Sequence, residues 1–106
     1  MTDLEMTKLC AEAIGITAAM HPIRGTIQRW WYMDGNVERQ YGPLWDDAQA
    51  MALVKKLNLN IQSPYPDDLE PSWQVYSGAN TTLIGCYRPD LNRAIVECVA
   101  KMQAAK

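Results

Sequence analysis

Apolar residues recur at three- and four-residue intervals in three stretches of the chain, and each stretch predicts an amphipathic helix. The first covers residues 3–14, where Met6, Leu9, Cys10, Ala13 and Ile14 form one stripe opposite Glu5, Lys8 and Glu12. Thr2 followed by Glu5 has the spacing of a capping box, and Gly15 suits a left-handed stop. The second helix follows Pro43, with Asp46 or Asp47 as its cap, Ala50, Leu53, Val54 and Leu57 as its stripe, and Asn58 as its end. The third begins after Pro89 with Asp90 as cap and carries Leu91, Ala94, Ile95, Cys98, Val99 and Met102. Lys101 and Lys106 at its far end complement the helix dipole.

Between the helices the period changes. Residues 26–41 are rich in β-branched and aromatic types around Asp34 and Gly35, a pair favoured in hairpin turns. With Asp34 and Gly35 as the two turn residues, Met33 faces Asn36, Tyr32 faces Val37, Trp30 faces Arg39 and Gln28 faces Tyr41. One face then holds Trp30, Tyr32, Val37, Arg39 and Tyr41, and the other holds Ile27, Arg29, Trp31, Met33 and Glu38. Residues 16–25 read as a connection, because Pro22 and Gly25 interrupt either period. Residues 57–61, 73–76 and 83–87 read as further short strands, with a turn over residues 77–80. The stretch SPYPDDLEPS at 63–72, with three prolines and three acids, reads as an exposed loop. The order α, β, β, α, β, β, β, α predicts an α+β fold: a single mixed or antiparallel sheet of about four to five strands with three helices packed on it, α-β-α sandwich-like. The 106 residues suit a single domain over 1–106, with no internal repeat or linker.

Three of these segments carry a resemblance. YGPLWDD at 41–47, AQAMALVKKLNLNI at 48–61 and RPDLNRAIVECVAKM at 88–102 resemble the phage ABA sandwich domain family, small phage and prophage proteins of unestablished function. The likeness covers more than half of the chain and includes Arg93, Ala94 and Ile95 in the final helix. It implies a strand, a turn, a helix, further strands and a last helix, in a small accessory protein of the bacterial cytoplasm, and it implies no reaction. Residues 16–33, with the paired tryptophans, fall outside the family pattern.

Composition removes several classes. Ten Lys plus Arg against 12 Asp plus Glu give a net charge of -2, too small to attract polyanions generally and too small for a DNA mimic. No apolar run is long enough for a membrane span, and the N-terminus opens with acids and polar groups, unlike a secretion signal. Cys10, Cys86 and Cys98 are odd in number and widely spaced, so buried thiols in a reducing cytoplasm are expected in place of disulfides or a zinc site.

The candidate chemistry is thin. Asp46 and Asp47 have the charge for metal or acid-base work, but adjacent residues on a helix diverge and the first turn favours acids, so capping is the expected role. Asp67, Asp68 and Glu70 lack the spacing and glycine of a calcium loop. A nucleophilic site would need His21 beside Cys10, Cys86 or Cys98, and Cys10 and Cys98 lie on core stripes. No phosphate loop, dinucleotide glycine pattern or nucleophile elbow is present. No enzyme, cofactor or metal is therefore expected.

The hairpin remains. Trp30, Trp31, Tyr32, Arg39 and Tyr41 are the candidate partner-binding residues, of types enriched in interface hot spots. In a chain without Phe, the same rings also have to fill the core. The expected function is a non-catalytic module binding a host or phage protein or its own copies. The alternative is single-stranded nucleic-acid binding through a hairpin face with Arg24, Arg29 and Arg39.

Overall fold

The computed structural model describes residues 1–20, 29–63, 72–77, 85–88 and 90–105. The first helix, α1 (Asp3–Ala13), starts where the capping box predicts. Glu5 N–H donates to Thr2 Oγ1 at 3.2 Å and Thr2 N–H donates to Glu5 Oε2 at 3.3 Å. It ends in a Schellman motif: Gly15, at φ +78°, donates to the Glu12 carbonyl while Ile16 donates to the Ala11 carbonyl. The second helix, α2 (Asp47–Leu57), is capped by Asp46 and stopped by Asn58 in the left-handed region. The third, α3 (Leu91–Ala104), is capped by Asp90. All three caps are short-range chemistry, and all three fall where the sequence places them.

The strands divide differently from expectation. The α+β class holds, with three helices and small antiparallel sheets, but the described strands form two sheets where one was expected. The first sheet has the order β1 (Ala19–Met20), β2 (Trp30–Asp34), β3 (Val37–Tyr41). The second has the order β4 (Leu59–Gln62), β5 (Trp73–Ser77), β6 (Gly85–Arg88). In each, strands pair with their neighbours in sequence, α2 lies between β3 and β4 along the chain, and among the described residues no strand of one half pairs with a strand of the other. β1 also corrects the reading of residues 16–25 as connection alone. Two residues show no period of their own and become a strand because Ala19 and Met20 pair with Trp31 and Trp30.

α3 is the hub. It packs against α1, α2, β5 and β6. Val96 and Ala100 are therefore buried beside the predicted stripe of Ala94, Ile95, Cys98 and Val99, since a helix covered on several sides needs a wider apolar arc than one lying on a single surface. One apolar cluster joins Met6, Cys10 and Ala11 of α1, Tyr41 of β3, Ala50 and Leu53 of α2, Leu59 and Val75 of the second sheet, and this arc. Among the described residues no helix is long and apolar enough to cross a membrane. The predicted loop residues 64–71 lie outside the described residues, as do 78–80 of the predicted turn.

Candidate functional site

The hairpin forms, with its register moved. Asp34 pairs with Val37 and Tyr32 with Arg39, so the two turn residues are Gly35 and Asn36. Gly35 sits at φ +64° while Asn36 is not in the positive-φ region, the sign pattern of a type II′ turn, which puts glycine first. Trp30 now faces Tyr41 where Arg39 was expected. That is a shift of two residues along the partner strand, which preserves the alternation, so Trp30, Tyr32, Arg39 and Tyr41 still share a face.

That face turns largely inward. Tyr41 is 1% exposed, and Trp30 and Tyr32 pack against the apolar cluster. The rings of Tyr32 and Tyr41 meet edge to face, 5.9 Å apart at 87°. The Trp30 indole N–H donates to the Leu4 carbonyl at 2.9 Å, and the Lys8 ammonium stands 5.6 Å from the Trp30 ring centroid. Arg39 lies further along, toward the turn, where its Nε donates to Asp34 Oδ2 at 3.0 Å; both side chains are more than half exposed, so this ion pair contributes little. Trp31 is half-buried on the opposite face. The five hairpin residues thus do not share one open platform: Tyr41 has no surface to offer, and Trp30 and Tyr32 serve the core.

Instead, a cleft of about 300 Å³ opens beside the hairpin. Its lining comes from the first turns of α1 (Asp3, Leu4, Thr7), Arg29 just before β2 and Trp30 at its start, the end of β3 with the following turn (Tyr41, Leu44, Trp45), and the cap and first turn of α3 (Asp90, Arg93). The turn is built by its sequence. Trp45 and Asp46 both donate to the Gly42 carbonyl, at 3.1 and 2.9 Å. The Gln49 side chain accepts from Gly42 N–H at 2.6 Å and donates to the Gln40 carbonyl at 2.9 Å, which ties α2 to the end of β3. A β-carbon at Gly42 would collide with the Trp45 ring, so glycine is what lets the indole lie against the backbone there. Arg29 stacks over that ring, its guanidinium carbon 4.5 Å from the centroid. Trp45 itself is 52% exposed.

The remaining charged groups of the cleft are engaged. Arg93 donates from Nη1 and Nη2 to the two Asp3 oxygens at 3.1 and 3.0 Å and lies 3.8 Å from Glu97. These hydrogen bonds to Asp3 are the main reason the Arg93 pKa is raised. The Asp90 carboxylate accepts from the Asn92 and Arg93 backbone N–H groups. Tyr41, one wall of the cleft, keeps a buried hydroxyl with no hydrogen-bond partner among the described residues. Burial first, then the neighbouring Cys10 and Tyr32, push its pKa well above the ordinary tyrosine range.

The other candidates sit apart from this cleft or outside the described residues. Asp46 caps α2 by accepting from Gln49 N–H at 3.1 Å, and Asp47 accepts from Asn92 Nδ2 at 2.8 Å. Their carboxylates serve a cap and a contact between α2 and α3. Cys10 and Cys98 are buried; Cys10 donates to the Val96 carbonyl at 3.5 Å, and burial pushes its thiol up to about 12, which leaves it protonated and non-nucleophilic. His21 and Arg24, the Cys86 side chain, and Asp67, Asp68 and Glu70 lie outside the described residues. Among the described residues no three His, Cys, Asp or Glu side chains stand together as a metal site would require.

Sequence reasoning missed Trp45 and its pairing with Arg29. A signal was present: Trp45 belongs to no apolar stripe, standing between the end of β3 and the α2 cap. Comparison with known protein families, curated proteins and solved structures returns no match for this chain.

Proposed function

We propose that the protein is a non-catalytic binding module that engages a protein partner, another chain or a second copy, through the face around this cleft. The observation that carries the reading is Trp45, half exposed yet held by Gly42 and Arg29 at the cleft's edge. Tryptophan and arginine are the residue types that most often dominate binding energy at protein interfaces, and holding them in place beforehand lowers the entropy lost on binding. The resemblance of residues 41–102 to the phage ABA sandwich domain family supports a setting among phage or prophage accessory proteins in a bacterial cytoplasm.

A tagged pull-down from host lysate tests this reading, with Trp45→Ala as the paired variant. The expected result is a captured protein that survives nuclease treatment and is lost with Trp45→Ala, whose circular dichroism stays that of the parent. Capture indifferent to Trp45 overturns the reading. The Arg29 and Trp45 stack also favours a second one, single-stranded nucleic-acid binding, since bases stack on aromatic faces beside cationic groups. That reading expects recovery that vanishes with nuclease and affinity that falls steeply with salt.

A further inference from the structure

The cleft sets an apolar interior beside Arg29, the charged lining side chain among the described residues that is left without a carboxylate or amide partner. Leu4, Leu44 and the Trp30 ring supply carbon surface, backed by the buried Tyr41. Arg93 is spent on Asp3 and Asp90 on the α3 amides. Arg29 differs: it lies over Trp45 and has no carboxylate partner among the described residues. The contact with the ring holds Arg29 by its charge, and no carboxylate among the described residues takes its N–H donors, so they remain for an acceptor.

Resting on the reading of this cleft as a protein-binding face, we propose that it receives one aromatic side chain of a partner, with a neighbouring carboxylate of the same partner paired to Arg29. The partner's recognised segment is an acidic aromatic peptide. A volume of about 300 Å³ lies at the small end of ligand sites, the scale of one ring and its surroundings. The flanking acid matches Arg29, a cation lining the cleft with no carboxylate partner among the described residues, and a charge-assisted hydrogen bond to arginine is stronger than a neutral one. A nucleotide strand offers ring and anion as well, but its repeated phosphates would face Asp3 and Asp90 at the same cleft and a chain of net charge -2. A peptide with one or two acids meets far less of that repulsion.

The test uses the full chain labelled with ¹⁵N, blocked pentapeptides GEFEG, GQFQG and GEAEG, and a short oligothymidylate. The four tryptophans report through their indole N–H signals, with the Trp45 signal assigned by Trp45→Phe. The expected result is that GEFEG moves the Trp45 signal and binds about tenfold or more tightly than GQFQG, the scale of one charge-assisted hydrogen bond. GEAEG, without its ring, binds at least as weakly as GQFQG. Arg29→Gln lowers GEFEG to the level of GQFQG in a spectrum that keeps its dispersion, and Arg29→Lys falls between. Equal binding of GEFEG and GQFQG to the parent chain, an unmoved Trp45 signal, or tighter binding of the oligothymidylate overturns the proposal. The parent-chain comparison decides even if Arg29→Gln fails to fold. If lysate capture depends on Trp45 while GEFEG does not bind, the acidic aromatic assignment falls and the protein-binding reading stands. If capture ignores Trp45, that reading falls by its own test.

Discussion

Trp30 and Trp45 line the same cleft, and they are held in opposite ways. Trp30 satisfies its indole N–H inside the fold, at the Leu4 carbonyl, and packs against the apolar cluster with Tyr41 opposite it across the strands. Trp45 is positioned by a glycine beneath it and an arginine above it, yet keeps half its surface in solvent. The comparison teaches how to sort aromatic residues in a small domain that lacks phenylalanine. A ring whose polar edge and faces are met from within is part of the core. A ring that is fixed but not covered is available to a partner.

The largest expected effect tests this sorting directly. Tyr41→Ala empties a site that is 1% exposed and should cost roughly 3 to 5 kcal/mol of stability, the range for removing a large buried ring. Trp45→Ala removes a half-exposed ring and should cost about 1 kcal/mol or less. Urea denaturation of the two variants gives both numbers. A loss for Trp45→Ala as large as that for Tyr41→Ala would make Trp45 structural and collapse the distinction.

The same contrast explains what was legible beforehand. The three helices and their caps were readable because capping residues act within four positions of the amides they satisfy, as Thr2, Asp46 and Asp90 do. The hairpin was readable as an element, but its register was not. Asp34, Gly35 and Asn36 offer two overlapping turn pairs, and the choice of Gly35 and Asn36 places Trp30 opposite Tyr41, both against the core. The number of sheets was hidden because it depends on which strands meet across α2, and alternation within a strand carries no such information. The site was mostly illegible. Hairpin periodicity points to Trp30, Tyr32 and Tyr41, which are core-facing for that very reason. Arg29 and Trp45 lie 16 positions apart and meet only when the end of β3 turns at Gly42, a non-local contact that no local period announces.

A second effect, of intermediate size, comes from titration of the core side of the hairpin. Burial raises the Cys10 pKa to about 12 from an ordinary value of 9.0, with Cys98 adding to the rise. The folded protein therefore keeps a proton that the unfolded chain gives up above pH 9, and stability contributed below that pH is lost as pH climbs toward 12. Tyr41, raised for the same reason and next to Cys10, adds loss at still higher pH. Each such group lowers stability by at most about 1.4 kcal/mol per pH unit within its window. Urea midpoints measured from pH 8 to pH 11 should fall, and Cys10→Ala should flatten the fall even though its starting stability is lower. A midpoint that stays level across that range would mean the thiol is reached by solvent and the hairpin's inner side is less closed than Tyr41 and Cys10 indicate.

The smallest effect separates the Tyr41 ring from its hydroxyl. The ring is what the core uses, whereas the hydroxyl is buried with no partner among the described residues, and an unpaired buried polar group carries a desolvation cost of about 1 to 3 kcal/mol. Tyr41→Phe removes that cost and leaves a small void where the oxygen stood, so the two changes oppose each other. Stability should stay within about 1 kcal/mol of the parent, on the favourable side, while the edge-to-face contact with Tyr32 is kept. The variant should also lose the part of the alkaline decline that belongs to the phenol. A destabilisation of about 2 kcal/mol or more would show instead that the hydroxyl donates to an acceptor in solution, as hydroxyls that do have partners behave. Tyr41 would then join the polar groups of the cleft, and the division between a wholly structural Tyr41 and Trp30 and an available Trp45 would have to be redrawn at the level of single atoms.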